Sequence, residues 1–132
     1  METSEEPTGP GGGLKLYDTS AVIELVARRR AKLVPGAVTA VTIVEYPPAA
    51  PRVLEVIYPR RRDYLLAAAW QATLRRHGSP LPAADLIIAA VAYNRGMTLV
   101  TLDNHFNVLR ELAAPGLKLE TKLPPREPTG EE

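Results

Sequence analysis

The sequence predicts an α/β fold in which helices cover both faces of a mostly parallel sheet of four to five strands. Short apolar strands alternate with amphipathic helices along the chain, and such alternation requires crossover connections between parallel strands. The length of 132 residues suits one domain. A hydrophobic share of 45% is ordinary for a globular protein, and no apolar run reaches the roughly 20 residues that span a bilayer.

The first half of the chain is expected to contain two strands, each followed by a helix. The predicted elements are, in order, a strand over 14–17, a helix over 20–30, a strand over 37–41, a helix over 42–46 and a short helical piece over 53–58. Pro35-Gly36 marks a turn before the second strand. Three prolines after the second helix should kink or interrupt it, at Pro47, Pro48 and Pro51.

The second half has stronger helical patterns. The predicted elements are a helix over 63–77, an apolar helix over 82–95, a strand over 97–101, a helix over 104–112 and a strand over 117–121. Asp63 suits the N-cap of the first of these helices, and Leu66, Trp70 and Leu74 form its apolar stripe. Gly78 should end it.

The two ends of the chain are expected to be flexible tails, residues 1–13 and 122–132, around a domain at 14–121. The net charge of the chain is +1, but six glutamates and one arginine in residues 1–13 and 124–132 sum to −5, which leaves +6 on residues 14–123. The working domain is therefore basic. The absence of cysteine fits a reducing cytoplasm or a hot habitat, and the absence of a secretory signal after Met1 favours the cytoplasm.

Four carboxylates follow the predicted strands. Asp18 comes directly after the first strand, and Glu45 lies in the first helical turn expected after the second. Asp85 lies in the first turn of the apolar helix, and Asp103 follows the strand that ends at Thr101. Ligands of parallel sheets bind at the carboxyl ends of the strands. Converging carboxylates need a positive partner, and Mg²⁺ or Mn²⁺ prefers such oxygen ligands. Beside an arginine-rich surface, this indicates phosphodiester hydrolysis.

Each acid also has a purely structural interpretation. An acid in the first turn of a helix stabilises that helix, and Thr42-x-x-Glu45 has the form of a capping box. Asp103 could simply cap the helix that follows it. Asp63 has no preceding strand and is interpreted only as a cap. Four acids at the functional edge, including three of the four aspartates, are harder to explain as separate caps.

Four segments of the sequence resemble the motifs of PIN domains, particularly the VapC-like toxin ribonucleases of archaeal type. These segments are Leu16–Ser20, Val41–Glu45, Ala84–Ala90 and Leu99–Phe106. The resemblance covers about residues 14–121. It implies a three-layer α/β/α sandwich, an endoribonuclease that depends on Mg²⁺ or Mn²⁺, a homodimer, and often a VapB-type antitoxin as partner.

The resemblance also implies roles for particular residues. Catalysis would rest on the acidic quartet Asp18, Glu45, Asp85 and Asp103, with Asp18, Asp85 and Asp103 as the metal ligands. Glu45 would orient the metal or a water, and Ser20 and Thr101 would be supporting polar residues. The sequence departs from the family pattern in the proline-rich stretch after Glu45 and in the N-terminal extension.

Basic residues cluster in three places. Arg60, Arg61 and Arg62 precede a predicted helix, where the dipole disfavours cations, so they are candidate RNA contacts. Arg28–Arg30 and Arg75–Arg76 end helices, and a solvated face that complements the helix dipole is the favoured interpretation of both clusters. His77 is interpreted as a helix cap. His105 could touch a phosphate beside Asp103, although an exposed position without a role is the favoured interpretation.

Three other functions remain alternatives. A phosphoacceptor signalling domain is disfavoured, because the second strand ends in Val41-Thr42 without an aspartate and Lys122 is the only late lysine that could serve. A PIN-like module that binds RNA or protein without cutting would have no reason to keep repelling carboxylates together. A PIN nuclease could also process RNA without an antitoxin.

Overall fold

The computed structural model describes residues 14–125, which fold into five strands and five α-helices. The strands are β1 (Lys15–Tyr17), β2 (Val38–Thr39), β3 (Val56–Ile57), β4 (Thr98–Val100) and β5 (Leu119–Glu120). The α-helices are α1 (Thr19–Ile23), α2 (Ala40–Glu45), α3 (Arg61–Arg76), α4 (Ala83–Asn94) and α5 (His105–Leu112). A π-helical turn, Glu24–Arg28, continues α1, and a 3-10 helix, Pro47–Arg52, follows α2.

All strand pairs are parallel. β4 lies between β1 and β5, and β2 pairs with β3. The two groups are joined where Ala37 bridges β1: the Tyr17 N–H donates to the Ala37 carbonyl (2.9 Å), and the Ala37 N–H donates to the Lys15 carbonyl (3.0 Å). The strand order across the molecule is therefore β3-β2-β1-β4-β5. The predicted parallel sheet of four to five strands is confirmed.

Helices cover both faces of this sheet, as predicted. Neighbouring residues of a strand point to opposite faces. Leu16 and Leu99 accordingly belong to the core cluster that α3, α4 and α5 cover, while Tyr17 and Val100 belong to a second cluster with α1. The alternation within three-residue strands thus divides the core into two layers, and the molecule is an α/β/α sandwich.

The region between β2 and α3 differs from the prediction. Helix α2 begins at Ala40 rather than at residue 42, because the Thr39 side chain caps it by accepting the Thr42 N–H (3.4 Å). The prolines after α2 form the 3-10 helix, which starts with prolines that have no N–H to donate. The segment 53–58, expected to be helical, contains strand β3 instead. Its β-branched Val56 and Ile57 pair with β2.

Helices α3 and α4 follow the prediction closely and are locked together by buried polar groups. Asp63 lies at the third position of α3 rather than at the N-cap, and its carboxylate accepts the Arg60 N–H (2.7 Å). The same carboxylate, which is 0% exposed, takes hydrogen bonds from Asn94 (2.7 Å) and two from Arg95 (3.1 Å each) at the end of α4. Asp63 thus ties the start of one helix to the end of the next.

The predicted N-terminal tail and residues 126–132 of the predicted C-terminal tail lie outside the described residues. Residues 122–125 are described and contact the body of the domain. Leu123 packs on the second core cluster, and Arg29 donates to the Pro124 carbonyl (2.8 Å). Within residues 14–125, no helix has the length and apolar character needed to cross a membrane.

Candidate metal centre

Asp18 is the most buried of the predicted site carboxylates. It follows β1 directly and is the N-cap of α1, with 3% of its surface exposed. One carboxylate oxygen accepts the Ser20 hydroxyl (2.8 Å) and the Ala21 N–H (3.0 Å), and the other accepts the Thr101 hydroxyl (2.6 Å). Burial raises the pKa of Asp18, these hydrogen bonds oppose the rise, and the charge of Asp85 adds to it.

Ser20 and Thr101, the predicted supporting residues, connect Asp18 to the loop after β4. The Thr101 oxygen accepts the Asp103 N–H (2.9 Å) while its hydroxyl donates to Asp18. The Ser20 oxygen accepts the Leu102 N–H (3.1 Å) while its hydroxyl also donates to Asp18. These two small side chains therefore fix the position of Asp103 relative to Asp18, although the residues are far apart in sequence.

Glu45 is in a different place from the one predicted. It is the last residue of α2, not part of its first turn, and Thr42 lies inside the helix. The capping-box interpretation is therefore wrong. A negative charge at the carboxyl end of a helix opposes the dipole, so helix stability does not explain Glu45.

The Thr19 hydroxyl donates to the Glu45 carboxylate and lies 3.0 Å from the Thr42 hydroxyl. This contact of Thr19 could not be predicted from the sequence, because its partner Glu45 is 26 residues away.

Asp85 and Asp103 lie at the helix starts where they were predicted. Asp85 is in the first turn of α4. Burial raises the pKa of Asp85, a hydrogen bond from His105 opposes the rise, and the charges of Asp103 and Glu45 add to it. Asp103 lies one residue before Asn104, which is the N-cap of α5, and its carboxylate accepts the His105 N–H (2.9 Å).

His105 contacts both of these carboxylates. Its Nδ1 lies 3.2 Å from Asp85 Oδ2 and 3.3 Å from Asp103 Oδ1. The side chain of His105 is 47% exposed, as expected, and its two contacts give it a place beside the carboxylates that the sequence did not indicate. The short interval from Asp103 to His105 was visible in the sequence. The contact with Asp85 was not, because it depends on how α4 and α5 meet. His77 lies at the C-cap of α3, as predicted.

The structure brings two of the four predicted carboxylates, Asp85 and Asp103, together at the carboxyl edge of the sheet. Ligand atoms of Asp85, Asp103 and His105 all lie within 4.8 Å of one another. Asp18 and Glu45 lie outside this group but close enough for their charges to be coupled to that of Asp85. Oxygen-rich sites of this kind suit Mg²⁺ or Mn²⁺. Asp85, Asp103 and His105 therefore form a group that could hold a metal ion.

The candidate RNA contacts lie at the start of α3. Arg60 is its N-cap, and Arg61 and Arg62 form its first turn. All three are exposed. In the cluster Arg28–Arg30, the Nε atoms of Arg28 and Arg29 lie 3.6 and 3.9 Å from the carboxylate oxygens of Glu24.

The fold and the site together define a parallel α/β/α sandwich with an acidic centre at the carboxyl edge of its sheet. The family model for the PIN domain matches residues 49–112, a range that includes Asp85, Asp103 and His105. A search of the curated proteins finds no match. The resemblance to PIN domains inferred from the sequence is confirmed by this family match and by the fold.

Solved structures of VapBC and related complexes have the same fold. A chain of DNA-bound VapBC from Salmonella typhimurium superposes with a TM-score of 0.62 at 19% identity, covering 81% of this chain and 96% of that one. A chain of VapBC-1 from Haemophilus influenzae gives 0.59 at 23% identity, covering 80% and 96%. FitAcB from Neisseria gonorrhoeae gives 0.57 at 18% identity, covering 80% and 96%. These sources are bacterial, so the archaeal type expected from the sequence is not borne out.

Proposed function

We propose that the protein is a metal-dependent endoribonuclease and the toxin of a VapBC-type toxin–antitoxin pair. The observation that carries this proposal is the convergence of Asp18, Glu45, Asp85 and Asp103 from four separate segments. Their mutual repulsion opposes folding, and Glu45 in addition opposes the dipole of its own helix. The four carboxylates therefore destabilise the folded protein when no cation is bound. Such an arrangement is expected at a site that binds a cation.

The donor set fits Mg²⁺ or Mn²⁺. Asp85 and Asp103 would hold the ion, with Asp18 as a further carboxylate behind them. When bound, a divalent ion lowers the pKa of a water and stabilises the charge that develops on the departing oxygen. Glu45, held by the Thr19 hydroxyl, would orient a water beside the scissile phosphate. Ser20 and Thr101 would keep Asp18 in a single orientation.

RNA is the substrate that the charge distribution favours. Residues 14–123 carry +6, and the exposed Arg60, Arg61 and Arg62 offer contacts for a phosphate backbone. Such binding releases counterions and therefore weakens as salt increases. RNA would be met in the cytoplasm, the compartment that the absence of cysteine favours.

A VapB-type antitoxin and a second copy of the chain are the proposed protein partners. The similar structures are of VapBC complexes. The domain also exposes large apolar side chains, among them Val44 (79% exposed) and Leu54 (82% exposed). Apolar side chains exposed to this degree are available for a protein interface. Co-expression with the neighbouring reading frame, followed by co-purification, tests for the antitoxin.

Cleavage of total RNA by the purified protein tests the enzymatic proposal. We expect cleavage with Mg²⁺ or Mn²⁺ and none with EDTA. Asp85→Asn should reduce the rate by about a hundredfold or more, since a bound metal contributes several kcal/mol of transition-state stabilisation. Glu111→Gln, which removes an exposed carboxylate near the end of α5, is the matched control and should cut at the wild-type rate. RNA binding without cleavage under any divalent ion would favour the non-cutting module instead.

A further inference from the structure

The imidazole of His105 is aimed at the centre of the acidic site. Its Nδ1 lies 3.2 Å from Asp85 Oδ2 and 3.3 Å from Asp103 Oδ1. The His105 N–H donates to the same oxygen of Asp103 (2.9 Å), which fixes the backbone of the histidine against that carboxylate. We propose that His105 Nδ1 is a ligand of the divalent ion, together with Asp85 and Asp103, and that it makes the site prefer Mn²⁺ to Mg²⁺. This proposal rests on the metal site of the proposed function.

The distances fit neighbouring ligands of one ion. In an octahedral site with bonds of about 2.1 Å, adjacent ligand atoms are roughly 3 Å apart. The separations of Nδ1 from the two carboxylate oxygens, 3.2 and 3.3 Å, are close to that value. All three ligand atoms lie within 4.8 Å of one another, so they can occupy one side of a single coordination shell.

The side chains of the three proposed ligands are partly exposed, so one side of an ion that they hold would face solvent. The side chains of His105, Asp103 and Asp85 are 47%, 33% and 20% exposed. Waters and a phosphate oxygen could therefore reach an ion held by these three groups. Asp18, in contrast, is almost fully buried and already accepts three hydrogen bonds from the protein. The exposed set is thus better placed than Asp18 to bind an ion in contact with a substrate.

A nitrogen ligand changes which ion the site prefers. Mg²⁺ favours oxygen ligands, whereas imidazole is a good ligand for transition metals. Two carboxylates and one imidazole should therefore hold Mn²⁺ more tightly than an all-oxygen site would, with little gain for Mg²⁺. The competing interpretation is that His105 only donates a hydrogen bond to the carboxylates. The two interpretations differ in whether a histidine nitrogen is bonded to the ion.

Pulsed electron paramagnetic resonance of the Mn²⁺ complex separates them. The chain contains two histidines, His77 and His105, so histidine labelled with ¹⁵N marks two side chains in a preparation that carries no histidine tag. We expect a ¹⁵N coupling to Mn²⁺ in the wild type. It should persist in His77→Gln, because His77 Nδ1 lies 3.0 Å from the Thr73 carbonyl oxygen and is not part of the group formed by Asp85, Asp103 and His105, and it should disappear in His105→Gln. A Mn²⁺ complex without this coupling, or with a coupling that survives His105→Gln, overturns the proposal.

Titration calorimetry with each ion gives a second readout. We expect His105→Gln to weaken Mn²⁺ binding by about tenfold or more and Mg²⁺ binding far less. His105→Asn keeps a hydrogen-bond donor near the carboxylates but lacks the imidazole nitrogen. If it restores Mn²⁺ affinity, the role is hydrogen bonding and the proposal fails. If Mn²⁺ binds and RNA is cut but no nitrogen coupling is seen, only this inference fails. If no divalent ion binds, the proposed function fails with it.

Discussion

Asp18 is both the N-cap of α1 and a residue of the proposed metal centre. It caps α1, yet it is 3% exposed and accepts hydrogen bonds from Ser20, Ala21 and Thr101. A cap needs only one such bond. The additional hydroxyl donors fix both oxygens of the carboxylate. They also stabilise its charged form against the effect of burial.

Replacing Thr101 with valine removes one of these donors and keeps the shape of the side chain. We expect Thr101→Val to lower the free energy of unfolding by about 1–3 kcal/mol, because one oxygen of Asp18 loses its partner in a buried site. RNA cleavage should fall by about 10- to 100-fold, as is usual when a group that orients a metal-site residue is lost. Thr98→Val, at the start of β4, is the control. Equal cleavage by both variants would show that Thr101 does not support the site.

The pKa shifts of Asp18 and Asp85 predict how the metal-free protein responds to pH. Both values are raised above that of an ordinary aspartate. Between the ordinary and the raised value, the folded state binds more protons than the unfolded state, so the free energy of unfolding falls as the pH rises. Below the ordinary pKa of aspartate, where the carboxyl groups of Asp18 and Asp85 are neutral, they favour the folded state. Above the raised pKa, where both are charged, they oppose folding.

Asp85→Asn removes one of these charges without changing the size of the side chain. In EDTA at pH 7, we expect the variant to be more stable than the wild type by about 0.5–2 kcal/mol, the usual gain when a functional site is relieved of strain. Thermal unfolding measures the difference. Added Mn²⁺ should stabilise the wild type more than the variant. A variant that unfolds below the wild type in EDTA at pH 7 would contradict this expectation.

At the scale of elements, Gly36 allows β2 to approach β1. A β-carbon at this position would lie 2.7 Å from the Lys15 carbonyl oxygen and 2.7 Å from a ring carbon of Tyr17. We expect Gly36→Ala to cost about 1–3 kcal/mol of stability, because the backbone oxygen cannot move aside without disturbing the sheet. Gly116→Ala is the matched control, since its nearest neighbour would be a Tyr93 ring atom at 3.4 Å. Denaturant unfolding that gives equal values for both variants would refute this role for Gly36.

Asp63 connects α3 to α4. Burial alone would raise its pKa, but hydrogen bonds from Arg95, Arg60 and Asn94 and the charge of Arg95 bring it below the ordinary value. We expect Asp63→Asn to cost about 3–5 kcal/mol, because the buried guanidinium of Arg95 loses its counter-charge. The double variant Asp63→Leu with Arg95→Met should recover much of this loss. A single variant as stable as the wild type would show that the pair contributes nothing.

The long elements could be predicted well from the sequence, and the short ones only poorly. Helices α3 and α4 carry sustained apolar patterns with an acid in the first turn, and both were predicted to within two residues. Strand β3 has two residues, too few for an alternating pattern to appear. The start of α2 was misplaced because Thr39 and Thr42 are both good caps, and only the path of the chain after β2 selects Thr39. That choice moves Glu45 from the first turn of α2 to its last.

For the whole molecule, the fold class and the set of converging acids followed from strand order. Carboxylates placed after parallel strands must meet at one edge, so Asp18 and Asp103 could be brought together from the sequence. The contacts of His105 with Asp85 and of Thr19 with Glu45 could not, because they depend on how separate helices pack. The charge of +6 on residues 14–123 is likewise visible in the sequence only when the acidic ends are counted separately, because the whole chain carries +1.

Anomalous diffraction at the manganese absorption edge, from a crystal soaked in Mn²⁺, tests the metal centre directly. The convergence of the carboxylates predicts an anomalous peak between Asp85 and Asp103, beside His105 Nδ1. The same soak of an Asp85→Asn crystal should show a much weaker peak or none. Full Mn²⁺ occupancy elsewhere with none at this position, or an equal peak in the Asp85→Asn crystal, would contradict a metal centre at the carboxyl edge of the sheet.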